Sequence, residues 1–463
     1  WLLLEGAKEM RRGARGGGKD AFARSAALLA SAALTSPRAR PVTHFMLAFS
    51  ASRAGDEVAA RRCADAISAL WPDSSRAWLC VGIALQRFDR DRSTSALRRA
   101  VELDPRSALA HDALGEALYE SGDHAGAMAE LVRAVELRPG LAVAHVTIGT
   151  VLRTKGDLPG AMASYRRAVS LDPMLASAHG DLGAALNDSR DFAGAAAECR
   201  RAIELDASMA PAHHNLGVSL FELGDVSGAL AAYRRAIALD PSLALAHSGE
   251  GRCLEAAGDD AGALAAFRRA VELDRNVADA HAHVGDLLAK RGDFPAAIRS
   301  YRRAIELGES GAGVHEHLAD ALRRSGDEAG AKEAVARSRE ALERETRRNA
   351  GDAGAWNELA WFLVDPEAAP EQRDPRAALP AARKSVELSA SDDPNLPNRL
   401  DTLAEALFAT GDAVAAVAAE ERAVAALDRS HVRNEPLRAG FVRSLARYRG
   451  AGDGDASRPR AEH

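Results

Sequence analysis

The chain of 463 residues is poor in cysteine, and none of its four cysteines stands in a CxxC pair: Cys63, Cys80, Cys199 and Cys253 are far apart. That spacing suggests neither a zinc site nor a disulfide framework, and reduced surroundings, hence the cytoplasm, are the expected setting. Aromatic residues make up only 5% against an apolar total of 47%, which suits closely packed helices built from small residues. No charge of one sign prevails. The 60 Lys and Arg against 66 Asp and Glu leave a net charge of −6, which gives no global field for nucleic acid. No apolar run approaches the roughly 20 residues needed to cross a bilayer, and the opening "WLLL" is far too short. Neither nucleic acid nor membrane is therefore an expected partner. The start at Trp1 rather than at methionine suggests a piece of a longer protein.

A fixed interval is what the chain does have. His111 recurs as His145, His179, His213, His247, His281 and His315, each 34 residues on, and Gly115 recurs as Gly149, Gly183, Gly217, Gly251 and Gly285. At this length a single core is not expected, and the period points to a repeat array. Apolar residues fall at helical spacing twice in each period, as Leu114 and Leu118, then Ala127, Leu131, Ala134 and Val135, so each period reads as helix, turn, helix. Gly122, Gly156, Gly224, Gly258, Gly292 and Gly326 suit the left-handed residue that ends a helix, and the aspartates that follow them suit the next N-cap. Pro105, Pro139, Pro173 and Pro241 stop the second helix. Gly115 and its counterparts fall inside a helix, where glycine costs about 1 kcal/mol against alanine. Close helix–helix approach is the expected compensation.

The spacing Leu114, Gly115, Leu118, Ala127, Ala134, Pro139 resembles the tetratricopeptide repeat, TPR. The large aromatic four places before the glycine is Trp78 in one copy and Trp356 in another but histidine in most, so the resemblance is to histidine-bearing variants. It implies an all-α fold, a right-handed α-solenoid of stacked helix-turn-helix units with a C-terminal capping helix. Eleven units are read: 41–74, 75–107, six of 34 residues from 108 to 311, then 312–352, 353–396 and 397–430. Residues 1–40 read as a degraded unit and a Gly/Arg-rich linker, 41–311 as the regular array, 312–430 as irregular units with insertions, 431–449 as the capping helix and 450–463 as a disordered tail. Arg190 replaces the turn glycine in "NDSRDF". "EAVARSREALERETRRNA" lengthens one second helix, and "PEAAPEQRDPRA" makes a loop.

Three features invite a chemical reading. Gly13 to Lys19 matches a Walker A loop up to its last position, but Asp20 stands where Mg²⁺ needs Ser or Thr and no strand precedes it. The recurrent histidines look like a metal ladder. Yet equivalent residues of stacked units lie about 10 Å apart, the helix packing distance, whereas zinc needs nitrogens about 2 Å from one ion. They read as half-buried packing residues, and no cofactor or metal is expected. The pairs from Arg98-Arg99 to Arg302-Arg303 form a basic stripe, locally neutralised by Glu102, Glu204, Glu272 and Glu306, four residues after the first arginine.

The TPR resemblance implies a ligand groove lined by first helices. It maps there onto Asp112, Glu116 and Tyr119, then Arg153, Asn187, His214, Asn215 and Phe221, then Arg252, Asp286, Lys290, Arg323 and Arg324. Phe221 is expected to act as an aromatic anchor, with an acidic third unit and basic Arg323 and Arg324 orienting a peptide. The chaperone-tail carboxylate clamp of some TPR domains is not matched, because Asp112, Ala113 and Glu116 occupy its lysine and asparagine positions. The asparagine ladder of the O-linked N-acetylglucosamine transferase superhelix has one rung, Asn215. The expected function is a scaffold that binds a peptide or protein segment, with no catalytic residue of its own. The alternative is a regulatory or docking region of a larger enzyme. Long histidine-variant arrays with an "LAW" unit, here Leu359-Ala360-Trp361, resemble the C-terminal regions of bacterial TPR-containing serine/threonine protein kinases.

Overall fold

The computed structural model of the chain describes residues 23–26, 41–309, 311–429 and 434–455. The Walker-like loop at 13–19, most of the degraded unit expected over 1–40, and the tail beyond Asp455 lie outside the described residues. Within them every regular element is a helix, and the chain divides into two compact units, Trp1–Leu273 and Asp274–His463.

Among its described residues the first unit holds seven helix pairs: Pro41–Ala54 with Glu57–Leu70, Ser75–Leu85 with Arg90–Leu103, Ala108–Glu120 with His124–Leu137, Ala142–Thr154 with Leu158–Leu171, Ala176–Asp188 with Phe192–Leu205, Ala210–Glu222 with Val226–Leu239, and Ala244–Ala256 with Asp260–Leu273. The second holds four, Ala278–Lys290 with Phe294–Glu306, Ala312–Arg324 with Glu328–Arg348, Ala353–Val364 with Pro375–Leu388 and Leu396–Ala409 with Ala413–Arg429, followed by Glu435–Asp455. That last helix runs past Arg449, where the sequence reading places the start of a disordered tail.

Each pair is made by local chemistry. The turn glycine takes the left-handed conformation, as at Gly122 with φ 86°, and the next residue caps the second helix: Asp123 Oδ1 accepts from Gly126 N at 2.8 Å, and Asp157, Asp191, Asp225 and Asp259 repeat the bond. The recurrent histidine serves the other turn. Its Nε2 meets the carbonyl six residues back: His111 on Pro105 and His179 on Pro173 at 3.1 Å, His213 on Ala207 and His247 on Pro241 at 3.2 Å. Trp78 and Trp356 place an indole N–H on the same carbonyl, of Pro72 at 2.7 Å and of Ala350 at 3.0 Å. Histidine thus replaces tryptophan here because both rings are flat and offer a nitrogen at one point.

The helical glycine makes room for a side chain of the second helix, and at Gly115 and Gly183 it also lets the two backbones approach, a Cβ there standing 3.2 Å from Ala127 O and 3.3 Å from Ala195 O. A Cβ on Gly149, Gly217 or Gly285 would lie 2.6, 2.7 or 2.5 Å from the ring of Tyr165, Tyr233 or Tyr301, and at Gly183 it would lie 2.5 Å from Cys199 Sγ. Those three tyrosines are among the largest fully buried side chains, packed among alanines such as Ala161, Ala168, Ala229 and Ala236. The four cysteines are free, and burial pushes the thiols of Cys199 up to about 12 and Cys253 up to about 11.

The second unit departs from the period where the sequence does. The lengthened helix Glu328–Arg348 carries Arg339, which pairs with Glu343 at 3.0 Å and with Asp374 at 3.2 Å. The proline-bearing loop ends at Pro375, N1 of the next helix, and Gln372 Nε2 pins it by donating to Phe362 O at 2.9 Å.

Candidate functional site

Successive first helices of the first unit touch one another, while contact between successive second helices is at most marginal. The row of first helices is therefore the tighter one, and within this unit it forms the inner side of the curve. Most of the groove positions read from sequence are on this face, but bonds between neighbouring repeats already engage many of them. Tyr119 Oη lies 3.1 Å from Thr154 Oγ1 of the next first helix. Arg153 Nη1 donates to Asp188 at 3.1 Å. Asn187 Nδ2 donates to Asn215 O at 2.9 Å, and buried Ser219 reaches Asn187 Oδ1 at 2.8 Å. Arg252 lies over the Phe221 ring, 4.4 Å from its centroid, and donates to Glu222 at 3.2 Å. Phe221 is partly buried against the core under that guanidinium, not an open aromatic anchor.

At the acidic end Asp112 is the unengaged group. Asp112, Glu116 and Glu120 are spaced four residues apart on helix Ala108–Glu120 and so stack along one side of it. Asp112 makes no hydrogen bond or ion pair among the described residues; burial, with the Glu116 charge adding, pushes its carboxyl up to about 7. Burial and then Glu120 raise Glu116 as well, with Gln86 and Arg53 opposing, although Glu116 is open to solvent. Further along, burial raises Asp181 to about 6 against the pull of Arg153. His214 is pushed down to about 4 by burial; its Nδ1 has no partner, and its ring lies 5.6 Å from that of Tyr233.

In the second unit Asp286 is the centre of a cluster. Tyr301 Oη donates to Asp286 Oδ1 at 2.8 Å, and His317 Nδ1 meets the same oxygen at 2.7 Å. Burial works to raise the Asp286 carboxyl, but the His317 bond, with Tyr301 and His283, holds it below its ordinary value; that bond also raises His317. Lys290 is exposed on the last turn of its helix. The basic pair is neutralised locally: Arg323 donates to Glu371 of the proline-bearing loop at 3.3 Å, and Arg324 pairs with Asp320 at 2.9 Å.

Sequence reasoning missed the partners in these bonds. Thr154, Ser219, His317 and Glu371 lie 31 to 48 residues from what they touch, and a one-helix pattern carries no sign of such pairing. Asp181 was legible only as a polar residue at the Asn215 position of the repeat. The arginine stripe also differs from expectation. Glu102, Glu204, Glu272 and Glu306 bond the second arginine of each pair at i+3, at 2.9 to 3.1 Å, rather than the first at i+4. Among the described residues no group of three or more His, Cys, Asp or Glu is placed to hold a metal ion, and no helix is long and apolar enough to cross a membrane.

Comparison with known proteins agrees with the repeat geometry. A tetratricopeptide-repeat family profile matches residues 83–142, 214–278 and 285–337, and a TPR-repeat profile matches 149–189. No curated protein matches the chain. Among solved structures, PilF of Pseudomonas aeruginosa is similar at 21% identity and a TM-score of 0.40, over 47% of this chain and 96% of that one. YrrB, described as a TPR protein with an unusual peptide-binding site, is similar at 23% identity and 0.33, over 42% of this chain and 97% of that one. Cut9 with Hcn1, a hetero-tetramer of the APC/C, is similar at 13% identity and 0.46, over 96% of this chain and 95% of that one. These likenesses do not bear on the resemblance to kinase C-terminal regions. Paired helices on a 34-residue period, the capped turns and the profile matches have one reading: the chain carries an array of tetratricopeptide repeats.

Proposed function

We propose that the first-helix face of the Trp1–Leu273 unit binds an extended basic segment of a partner protein, lysine or arginine side chains meeting Asp112, Glu116 and Glu120. The repeat family supports a protein-interaction role rather than a catalytic one. The observation that carries the finer reading is the acidic column itself: three carboxylates at i, i+4 and i+8 repel one another, and Asp112 is held up to about 7 with no internal cation to relieve it. An incoming guanidinium or ammonium supplies the missing charge. The inter-repeat bonds at Tyr119, Arg153, Asn187 and Arg252 hold the face in shape, leaving His214 and the Asn215 amide as neutral hydrogen-bonding groups further along it.

The test is a binding screen of lysine- and arginine-bearing peptides against the whole chain, followed by titration of the tightest binder. Asp112→Asn with Glu116→Gln is expected to weaken it about tenfold, the loss of one or two charge-assisted contacts, and added salt is expected to weaken the unaltered protein in the same direction. Equal affinity of the double variant for that peptide removes the acidic column from the site.

A further inference from the structure

A recess lies in the first unit, away from the acidic column. It is an open cleft of about 460 Å³ where helices Phe192–Leu205, Ala210–Glu222 and Val226–Leu239 meet, lined by Arg200, His213, Leu216, Ala232 and Arg235 among others. We propose that this cleft is a receptor site for a carboxylate, the glutamate side chain of an acidic peptide segment.

The chain itself shows what fits there. In the repeat beginning at Ala108, His111 Nδ1 lies 2.6 Å from Glu130 Oε2, and in the one beginning at Ala176, His179 Nδ1 lies 2.6 Å from Glu198 Oε2. The corresponding place in the repeat of His213 is Ala232. His213 keeps its Nε2 bond to Ala207 O at 3.2 Å, but Nδ1 has no partner, although the residue is only 8% exposed. The unpartnered nitrogen of a largely buried histidine therefore stands at the cleft, in the place where two sister repeats hold a glutamate carboxylate.

The surrounding charges agree. In six repeats the arginine at this position of the stripe is bonded by a glutamate three residues on, as Arg133 by Glu136 and Arg201 by Glu204, but Arg235 has Ala238 there and no acid. Arg200 is also without an ion pair, because Glu204, which lines the cleft too, is engaged by Arg201 at 2.9 Å. Burial depresses the His213 imidazole, the Ala207 carbonyl opposing and Arg235 adding, as expected beside unbalanced positive charge. The next repeat also has alanine, Ala266, in the glutamate place, but there Arg234 is held by Glu250 at 2.8 Å and Arg269 by Glu272 at 3.1 Å. The repeat of His145 has Val132 where this cleft has Arg200. The apolar floor of Ile203, Leu216 and Ala232 suits the methylenes of a glutamate side chain, with the two guanidiniums donating to its oxygens and the incoming carboxylate drawing a proton onto His213 so that Nδ1–H donates as well.

The experiment follows the His213 ring resonances by NMR while the whole chain is titrated with a short peptide bearing one central glutamate, with its glutamine counterpart and with propionate. The glutamate peptide is expected to shift His213 and to bind at least about tenfold more tightly than the glutamine peptide. Ala232→Glu, which supplies the carboxylate from within as in the two sister repeats, is expected to abolish the response and raise the melting temperature. Arg200→Gln with Arg235→Gln is expected to weaken binding without shifting the His213–Ala207 bond. Equal binding of the two peptides, or undiminished binding to the folded Ala232→Glu protein, overturns the proposal. Propionate binding as tightly as the peptide overturns the assignment to a peptide side chain.

Discussion

The glycine at the Gly115 position is chosen by the residue that lies on it. Alanine at Gly217 improves helix propensity by about 1 kcal/mol, but the new Cβ would stand 2.7 Å from the Tyr233 ring, and Tyr233 is 1% exposed and pressed from the other side by Gly249, whose own Cβ would lie 2.4 Å away. The ring has nowhere to go, so Gly217→Ala is expected to destabilise by about 1–3 kcal/mol, read by urea denaturation. Arg190 is the converse case. It takes φ 65° where most of the repeats have glycine, a conformation that costs an L-residue about 1–2 kcal/mol. Part of that is offset by the entropy glycine loses on folding, and Arg190→Gly is expected to stabilise by about 0.5–1 kcal/mol in the same measurement.

Among the elements, the last helix is tied to the array by polar groups as well as by Phe441. Tyr448 is fully buried and donates to Glu405 at 2.8 Å; Arg447 pairs with Glu405 and lies 4.9 Å over the Tyr448 ring. Beside them Glu420, also fully buried, faces Asp401. Burial, with the Asp401 charge adding, holds Glu420 well above the carboxylate range, and burial raises Asp401 too. The unfolded chain releases these protons near their ordinary values and the folded one later, so the folded state binds more protons and stability falls as pH rises above about 4, until the folded pair itself ionises. Glu420→Gln keeps the shape without the proton. It is expected to raise the melting temperature of this region at neutral pH and to flatten its decline between pH 5 and 8. An undiminished pH slope in the variant would place the effect elsewhere.

At the scale of the molecule, contacts run between helices that are near neighbours along the chain, so stability is a sum of repeat and nearest-neighbour terms and damage stays local. Hydrogen exchange of Gly217→Ala is expected to show lost protection over Ala210–Glu222, Val226–Leu239 and the repeats that flank them, with Ser75–Leu85 and Arg90–Leu103 keeping theirs. A uniform loss across the first unit would mean that its seven pairs unfold as one.

The amino-acid sequence by itself determined the period, the two helices of each repeat, their turn glycines and aspartate caps, because each of these rests on residues within about five positions of one another. Even the acidic column was legible, since Asp112, Glu116 and Glu120 share one helix. What only the tertiary structure decided is which group answers which across helices: that Arg252 covers Phe221, that His317 and Tyr301 share Asp286, that Glu371 neutralises Arg323, and that His213 is left with an empty place. A side chain at a surface position reads the same whether its neighbour is water, an arginine or a ring, and that neighbour is set by the stacking of repeats, which no single period encodes.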